Sequence, residues 1–155
     1  MACFLGVDPG LNGALATFGP HGIETYDMPT FDITGKQKID IKLLDDILRG
    51  IVAVREPCLA VVEDVHSMPK QGVASSFSFG FVTGVAHALL ATHRIPVHLV
   101  SPASWKRLMG LSSDKDASRQ KASRLFPGAA AQWSRKKDDG RAEAALLAYY
   151  GSKIQ

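Results

Sequence analysis

Residues 4–16 read FLGVDPGLNGALA, and the rest of the chain is organised around this stretch. An apolar run ends in the carboxylate of Asp8, the turn-forming pairs Pro9-Gly10 and Asn12-Gly13 follow, and a second apolar run returns. This pattern predicts a hairpin whose first strand is buried and carries Asp8 where the strand leaves the core. A buried lone carboxylate is costly unless a cation meets it, but Asp also favours turns. Both interpretations of Asp8 stay open on this stretch alone.

The composition is that of one globular domain, which we expect to span residues 1–155. Of the 155 residues, 46% are hydrophobic and 21% are charged, without a low-complexity segment. The formal charge of +3 permits a polyanionic partner without requiring one. The distribution of charge is more informative, because Lys and Arg concentrate between residues 106 and 137.

Cysteines and apolar runs bear on where the protein works. Cys3 and Cys58 each begin an apolar run and are interpreted as small buried hydrophobic residues in a reducing compartment. No signal-like segment opens the sequence, and no apolar run is judged long enough to span a bilayer. We therefore expect a cytoplasmic protein with no membrane partner.

The order of elements predicts an α/β fold. Besides the first strand, strands are expected at residues 15–18, 23–28, 58–62 and 96–100, an exposed loop at 29–38, a polar loop at 64–72, and helices at 40–56, 73–93, 101–110, 113–126 and 138–151. Tight turns make the first three strands antiparallel, whereas later strands arrive through helices and are expected to be parallel to the first.

Four acids are expected to meet at one edge of this sheet. Asp8 and Glu63 each end an apolar strand, and parallel neighbours bring their carboxyl ends together. Asp139 and Glu143 are four residues apart and share a helix face. Asp138 competes with Asp139, but its position favours capping the helix. Oxygen ligands grouped without His or Cys suit Mg²⁺ or Mn²⁺.

Three motifs carry a resemblance to a known family. GVDPGLNGA at 6–14, VEDV at 62–65 and DDGRAEA at 138–144 resemble the RuvC family of Holliday-junction resolvases, and the last motif is similar to its phage-type and chloroplast-type branch. The match covers nearly the whole chain in the right order. It implies an RNase H-like α/β fold with a five-stranded mixed sheet flanked by helices, a homodimer, and a nuclease that cuts four-way DNA junctions symmetrically.

The resemblance also implies roles for residues. Asp8, Glu63, Asp139 and Glu143 would be the catalytic acids and would hold two Mg²⁺ ions per site, with Mn²⁺ as a substitute. The bacterial housekeeping pattern has two acids three residues apart, usually both Asp, whereas here the spacing is four and the second acid is Glu. That departure leaves the choice between Asp138 and Asp139 open. The implied location is the nucleoid or the cytoplasm of a phage-infected host.

Basic residues near the acids are candidate DNA contacts, because phosphate contacts position DNA without reading its sequence. The candidates are Lys106, Lys115, Arg119, Lys121, Lys136 and Lys137. By analogy with the family, Lys106 or Lys115 would contact the scissile phosphate. In loop 64–72, Met68 and Lys70 are candidates for opening the junction centre. Solvated helix faces and a plain connecting loop are the alternatives.

The long helix at residues 73–93 has two interpretations. Phe77, Phe81 and Gly84 share one face, which either packs in the core or forms a twofold interface. Other functions also remain open, namely a nuclease of flaps and other branched DNA, or a junction-binding protein without activity. A sugar-kinase-like phosphotransferase is not expected, because that fold needs a second matching lobe and these 155 residues leave no room for one.

Overall fold

The fold is given by a computed structural model, which describes residues 1–114 and 116–155. Its strands are β1 (Phe4–Asp8), β2 (Ala14–Gly19), β3 (Gly22–Asp27), β4 (Thr30–Ile33), β5 (Lys36–Ile39), β6 (Leu59–Glu63) and β7 (Val97–Val100). Its α-helices are α1 (Ile41–Arg55), α2 (Val73–Thr92), α3 (Pro102–Leu108), α4 (Ala117–Leu125) and α5 (Asp139–Ile154). Two 3₁₀ helices, Pro127–Trp133 and Lys136–Asp138, lie between α4 and α5.

Five of the strands form one mixed sheet in the order β3-β2-β1-β6-β7. β1 and β3 each run antiparallel to β2, whereas β6 runs parallel to both β1 and β7. The predicted fold class and the predicted strand directions are confirmed. Val7 pairs with Val62, so Asp8 and Glu63, the next residues along the two strands, emerge at the same edge of the sheet.

Side chains of the sheet alternate between two cores. Leu5, Val7 and Val62 belong to the core beneath α1 and α2. Val61 and Ala16 point to the other face and pack with the residues of α5. Because both faces of β1 and β6 are covered, these strands read as continuous apolar runs in the sequence.

α5 lies directly on β1 because Gly6 has no side chain. A Cβ at Gly6 would lie 2.0 Å from the carbonyl oxygen of Ala144 and 2.5 Å from the backbone nitrogen of Ala148. The helix backbone therefore touches the strand backbone, and small residues of α5 fill the contact. This close approach fixes the height of α5 above the sheet edge that carries Asp8.

The largest difference from the sequence prediction is at residues 29–38, which were expected to form an exposed loop. They form a hairpin of β4 and β5 instead. Its two-residue turn, Thr34-Gly35, has positive φ at both residues, 48° and 75°, as the tight type I′ turn requires. The loop prediction was wrong because Thr-Gly is a weak form of the Asn-Gly or Asp-Gly hairpin signal.

Two helix boundaries also differ from the predictions. α4 begins at Ala117 rather than at Ser113, and ahead of it the side chain of Asp114 accepts a hydrogen bond from the backbone nitrogen of Asp116 (2.9 Å). α5 continues past Gly151, the predicted end, to Ile154. Gly151 serves packing, since a Cβ there would lie 3.0 Å from the ring of Phe4.

Two minor expectations have mixed outcomes. Cys3 is buried, but Cys58 is only half-buried. The prediction that no apolar run is long enough to span a bilayer was wrong, because α2 has the length and the apolar composition to do so. Within this chain, 17% of the most apolar window of α2 is buried. A single such helix is weak evidence for a membrane, since core helices of soluble proteins have the same length and composition.

Candidate active site

Three carboxylates converge where β1 and β6 end. Asp8 lies at the end of β1, Glu63 at the end of β6 and Glu143 in the second turn of α5. One oxygen from each lies within 4.8 Å of the others. The structure thus brings together three of the four acids that the sequence analysis grouped.

Asp139 stands at the rim of this group. It is the first residue of α5, its side chain is exposed, and its Oδ1 accepts a hydrogen bond from the backbone nitrogen of Gly140 (3.0 Å). Gly140 lets the helix start approach the β1–β2 turn, because a Cβ there would lie 2.7 Å from the carbonyl oxygen of Asn12 and 3.2 Å from Oδ2 of Asp8. The fourth predicted acid is therefore beside the cluster, and its ligand role stays a prediction.

Asp138 has a different task. It is 4% exposed, and its carboxylate accepts hydrogen bonds from the backbone and the guanidinium of Arg135 at 2.8–3.0 Å. Hydrogen bonding to Arg135 lowers the pKa of Asp138. Asp138 is at the N-cap position of α5, as the sequence analysis favoured, but its side chain makes no capping hydrogen bond to that helix. Since Arg135 engages both oxygens, Asp139 is the better candidate for a ligand.

Glu63 is held by a tryptophan that the sequence analysis did not single out. Trp105 of α3 is fully buried, and its Nε1 donates a hydrogen bond of 2.8 Å to Oε1 of Glu63. An indole N–H needs a partner when it is buried, and here the partner is a candidate metal ligand. The only signal in the sequence was that Trp105 stands next to Lys106.

Glu143 has two partners from other helices. Ser118 of α4 donates a hydrogen bond of 3.1 Å to Oε1 of Glu143, and Nζ of Lys106 lies 3.3 Å from the same oxygen. The Lys106 ammonium also sits over the ring of Trp105, 5.3 Å from its centroid. Two helices after β7, α3 and α4, therefore orient the carboxylates of Glu63 and Glu143.

Electrostatics show that the cluster is short of positive charge. The pKa of Asp8 is raised well above its ordinary value, first by burial and then by the charges of Glu143, Glu63 and Asp139, against which Lys106 acts. Burial also raises the pKa of Glu63, although the hydrogen bond from Trp105 lowers it. Like charges at this distance are stable together only when protons or cations neutralise them.

The donor set suits a hard divalent cation. The three converging groups are all carboxylates, and the grouped residues include no His or Cys that would favour Zn²⁺. A cation would offset both the cost of burial and the repulsion from the neighbouring acids, which together raise the pKa of Asp8. Asp8, Glu63 and Glu143 therefore fit such an ion, with Asp139 at the rim. The identity of the ion and the number of ions stay predictions.

The predicted DNA contacts divide into three groups. Lys106 lies inside the acid cluster, whereas the exposed Lys136 and Lys137 line a cleft of about 750 Å³ that also contains Asp139. Lys115 lies outside the described residues. Lys106, Lys136 and Lys137 are thus placed where a phosphate near the acids could meet them.

Arg119 and Lys121 are placed differently. The Arg119 guanidinium is 17% exposed and donates to Asp116 (2.7 Å) and to the carbonyl oxygen of Ser134 (3.1 Å). These bonds tie α4 to the segment before α5, which favours a structural role for Arg119. Lys121 is half-buried on the same helix. Neither residue is among the partners of the acid cluster.

The loop after β6 is exposed along most of its length. Met68 is 67% exposed, and Lys70 is exposed with a φ of 68°, which is unusual for a residue with a side chain. Both side chains are therefore available to a partner, and their predicted DNA contacts stay predictions.

Comparison with known proteins gives matches to solved structures. No family model matches the chain, and no curated protein matches it. Thermus thermophilus RuvC in complex with a Holliday junction substrate aligns with a TM-score of 0.67 at 10% identity, over 99% of this chain and 96% of that chain. A second Thermus thermophilus RuvC structure gives a TM-score of 0.61 at 12% identity, over 98% and 96%.

A eukaryotic structure also matches. The yeast mitochondrial Holliday junction resolvase Ydc2 aligns with a TM-score of 0.56 at 15% identity, over 94% of this chain and 75% of that chain. At these identities the likeness concerns the fold. The RNase H-like fold that the three sequence motifs implied is thereby confirmed, and this chain has the fold of the RuvC resolvases.

Proposed function

We propose that this protein is a Mg²⁺-dependent, structure-selective DNA endonuclease that resolves four-way junctions by paired, symmetric phosphodiester hydrolysis. The observation that carries the proposal is the convergence of Asp8, Glu63 and Glu143 within 4.8 Å at the carboxyl ends of two parallel strands. The solved structures support the choice of substrate, since one holds a Holliday junction and another is named a Holliday junction resolvase.

Each side chain has a task in this proposal. Asp8, Glu63 and Glu143 hold the cations, with Asp139 completing the set from the rim. When bound, two divalent ions supply activation of a water and neutralisation of the leaving 3′ oxygen. Lys106, 3.3 Å from Glu143, orients the scissile phosphate beside the acids. Lys136 and Lys137 line the adjoining cleft and position the flanking backbone.

Paired cuts in a two-fold symmetric junction need two active sites, and α2 offers a surface for a homodimer. Phe77 and Phe81 are 77% and 51% exposed, so simple core packing does not account for them. With Val73, Gly84 and Ala88 they form an exposed apolar stripe along one side of the helix. A second copy would cover this stripe, and the dimer would work on DNA in the cytoplasm.

The proposal is tested by cleavage of synthetic four-way junctions, with duplex, flap and fork DNA alongside, in Mg²⁺ and in Mn²⁺. Wild type should introduce paired symmetric nicks in the junction, and Asp8→Asn should bind the junction without cutting it. Asp64→Asn is the matched control, because Asp64 is exposed next to Glu63 and outside the converging group.

The other outcomes select the remaining functions. Equal cutting of junctions and flaps would replace the resolvase by a general branched-DNA nuclease. Tight junction binding without cutting in either metal would leave a junction-binding protein. Loss of cutting in Asp64→Asn as large as in Asp8→Asn would overturn the assignment of the acids.

A further inference from the structure

The ammonium group of Lys106 has two neighbours at the acid cluster. Its Nζ lies 3.3 Å from Oε1 of Glu143 and 5.3 Å from the centroid of the Trp105 ring. Among the described residues, Lys106 is the cation whose charge acts against the raised pKa values of both Asp8 and Glu63. One cation of the protein thus partly neutralises the same carboxylates that would hold a metal ion.

The ion pair between Lys106 and Glu143 is weak enough to exchange. The Lys106 side chain is 38% exposed, and the Glu143 side chain is 22% exposed. An ion pair at such exposure changes an equilibrium constant by about fivefold or less, because water screens it and both side chains lose freedom in making it. The stem of lysine is flexible, and the ring of Trp105 attracts a cation without fixing it in one place. The ammonium group can therefore leave Glu143 without disturbing the fold.

A divalent ion that binds Glu143 would meet Lys106 at the same carboxylate. Oε1 of Glu143 accepts a hydrogen bond of 3.1 Å from Ser118 and also faces the ammonium group. A hard dication attracts carboxylate oxygens more strongly than a single charge does, and it repels an ammonium group at this distance. Ser118 is neutral and buried, so it can keep its bond, whereas Lys106 has to move.

The anion that would receive the released ammonium group is a phosphate. Asp8, Glu63 and Glu143 together repel a phosphate until a cation neutralises them. The scissile phosphate of the proposed substrate has to approach these acids in order to be cut. Lysine binds phosphate as a point charge on a flexible stem. Lys106 is thus placed to exchange a carboxylate of the protein for a phosphate of the DNA.

We propose that Lys106 competes with the divalent ion for Glu143, and that the ion, when it binds, releases the ammonium group to the scissile phosphate. The inference rests on the proposed function and adds to it a coupling between two binding events. Because coupling of this kind is reciprocal, a bound DNA phosphate also strengthens binding of the ion.

The direct test follows the lysine in the protein without DNA. Lysine is labelled with ¹³C at Cε, and NMR spectra are recorded during titration with Mg²⁺. The ring current of Trp105 displaces the Lys106 signal, which is assigned as the signal that Lys106→Arg removes. We expect this signal to move toward the position of a solvated lysine as Mg²⁺ binds. Lys153 is the internal control, because it lies 4.7 Å from the Tyr149 ring centroid in the last turn of α5, and its signal should stay in place.

The second test measures Mn²⁺ affinity by calorimetric titration, again without DNA. Lys106→Gln should bind Mn²⁺ about fivefold more tightly than wild type, because the ion no longer displaces an ammonium group. Lys106→Arg retains the charge and should bind Mn²⁺ as wild type does. Arg107→Gln is the matched control, because Arg107 is the next residue of α3 and is exposed, and its removal should leave Mn²⁺ affinity nearly unchanged.

Cleavage of the four-way junction separates release of the lysine from damage to the fold. At saturating Mn²⁺, Lys106→Gln should cut the junction more slowly than wild type, because the scissile phosphate has lost its ammonium partner. Tighter binding of the ion is thus expected together with slower cutting. Damage to the fold would weaken both.

The results that would overturn the inference differ from those that would overturn the proposed function. A Lys106 signal that stays in place while Mg²⁺ binds would refute the competition, and so would unchanged or weaker Mn²⁺ binding by Lys106→Gln. Either result leaves the proposed function intact. If Mg²⁺ releases Lys106 but wild type cuts no junction, the competition stands and the proposed function fails. If wild type binds neither ion, both fail.

Discussion

The two faces of the central sheet are covered in opposite ways. On one face, α5 touches β1 backbone to backbone at Gly6, and Ala144, Ala145 and Ala148 of the helix are fully buried. On the other face, Val82, Ala86 and Leu90 of α2 pack inward, but the outer side of the helix leaves large apolar groups exposed.

This difference follows from what each helix does. α5 carries Glu143 and must hold it within reach of Asp8 and Glu63, so its position is fixed by contacts that allow no adjustment. α2 carries no residue of the acid cluster, and its exposed stripe is available to a partner. We call the sheet face under α5, which carries the acid cluster, the closed face, and the sheet face under α2, whose helix has the exposed stripe, the open face.

The largest effect is expected from a substitution that disrupts the contact between β1 and α5 on the closed face. Gly6→Ala places a methyl group 2.0 Å from the carbonyl oxygen of Ala144, and neither backbone can move without displacing α5. We expect the free energy of unfolding to fall by at least about 3 kcal/mol. Gly50→Ala in α1 meets no atom within 4 Å and should be neutral or stabilising by up to about 1 kcal/mol. Equal melting temperatures for the two variants would refute the tight contact.

The second prediction concerns the negative charge of the acid cluster on the closed face. Because the folded state raises the pKa of Asp8, it binds a proton more tightly than the unfolded state does. In EDTA, the stability that Asp8 contributes is fully present below its unfolded pKa, about 3.9, and is lost as pH rises through its raised folded pKa. Asp8→Asn should remove this decline, and denaturant unfolding across pH 3–8 measures it. If the free energies of unfolding of wild type and of Asp8→Asn change with pH in parallel, the raised pKa of Asp8 is contradicted.

A third effect tests whether the buried indole positions a ligand. Trp105→Phe keeps an aromatic ring but removes the donor to Glu63, so divalent metal binding should weaken about 10- to 100-fold. Calorimetric titration with Mn²⁺ measures it without DNA. Trp133→Phe is the matched control, because Trp133 is equally buried but donates to Ser123 instead. Equal losses of metal affinity in both variants would point to general loosening of the fold.

The smallest change in stability is expected on the open face. Phe77 and Phe81 are exposed, so Phe77→Ser/Phe81→Ser should alter the free energy of unfolding of the monomer by less than about 1 kcal/mol. The same double variant should dissociate the proposed dimer, which sedimentation at several concentrations measures. A dimer that persists, or a wild type that is monomeric, would assign the stripe to another partner.

The fold and the grouping of the acids could be predicted from the sequence, because both depend on short-range signals. Asp8 and Glu63 each end an apolar run, and parallel pairing of those runs is enough to bring them together. The spacing of Asp139 and Glu143 indicated one helix face, but not that Asp139 would stand at the rim. That distinction depends on how closely Gly140 approaches the β1–β2 turn, which is a tertiary contact.

The features that could not be predicted from the sequence also depend on tertiary contacts. Trp105 and Ser118 contact the acids from segments whose local pattern indicates only helices, and no spacing rule connects them with Glu63 or Glu143. The hairpin at residues 30–39 was not predicted, because Thr34-Gly35 is a weak turn signal and because its short strands are exposed and contain many polar residues. Exposure of Phe77 was undecided, because an apolar helix gives the same pattern in a core as in an interface.

The contact at Gly6 has a consequence for how the protein tolerates change. Because backbone atoms of β1 and α5 set the distance between strand and helix, the sizes of the surrounding side chains do not. Substitutions such as Leu146→Met can loosen or tighten the core while the carboxylates keep their spacing. The spacing of the acids is thereby protected from changes in the hydrophobic core, and such changes can accumulate as long as Gly6 and Gly140, where α5 approaches β1 and its turn, remain glycine.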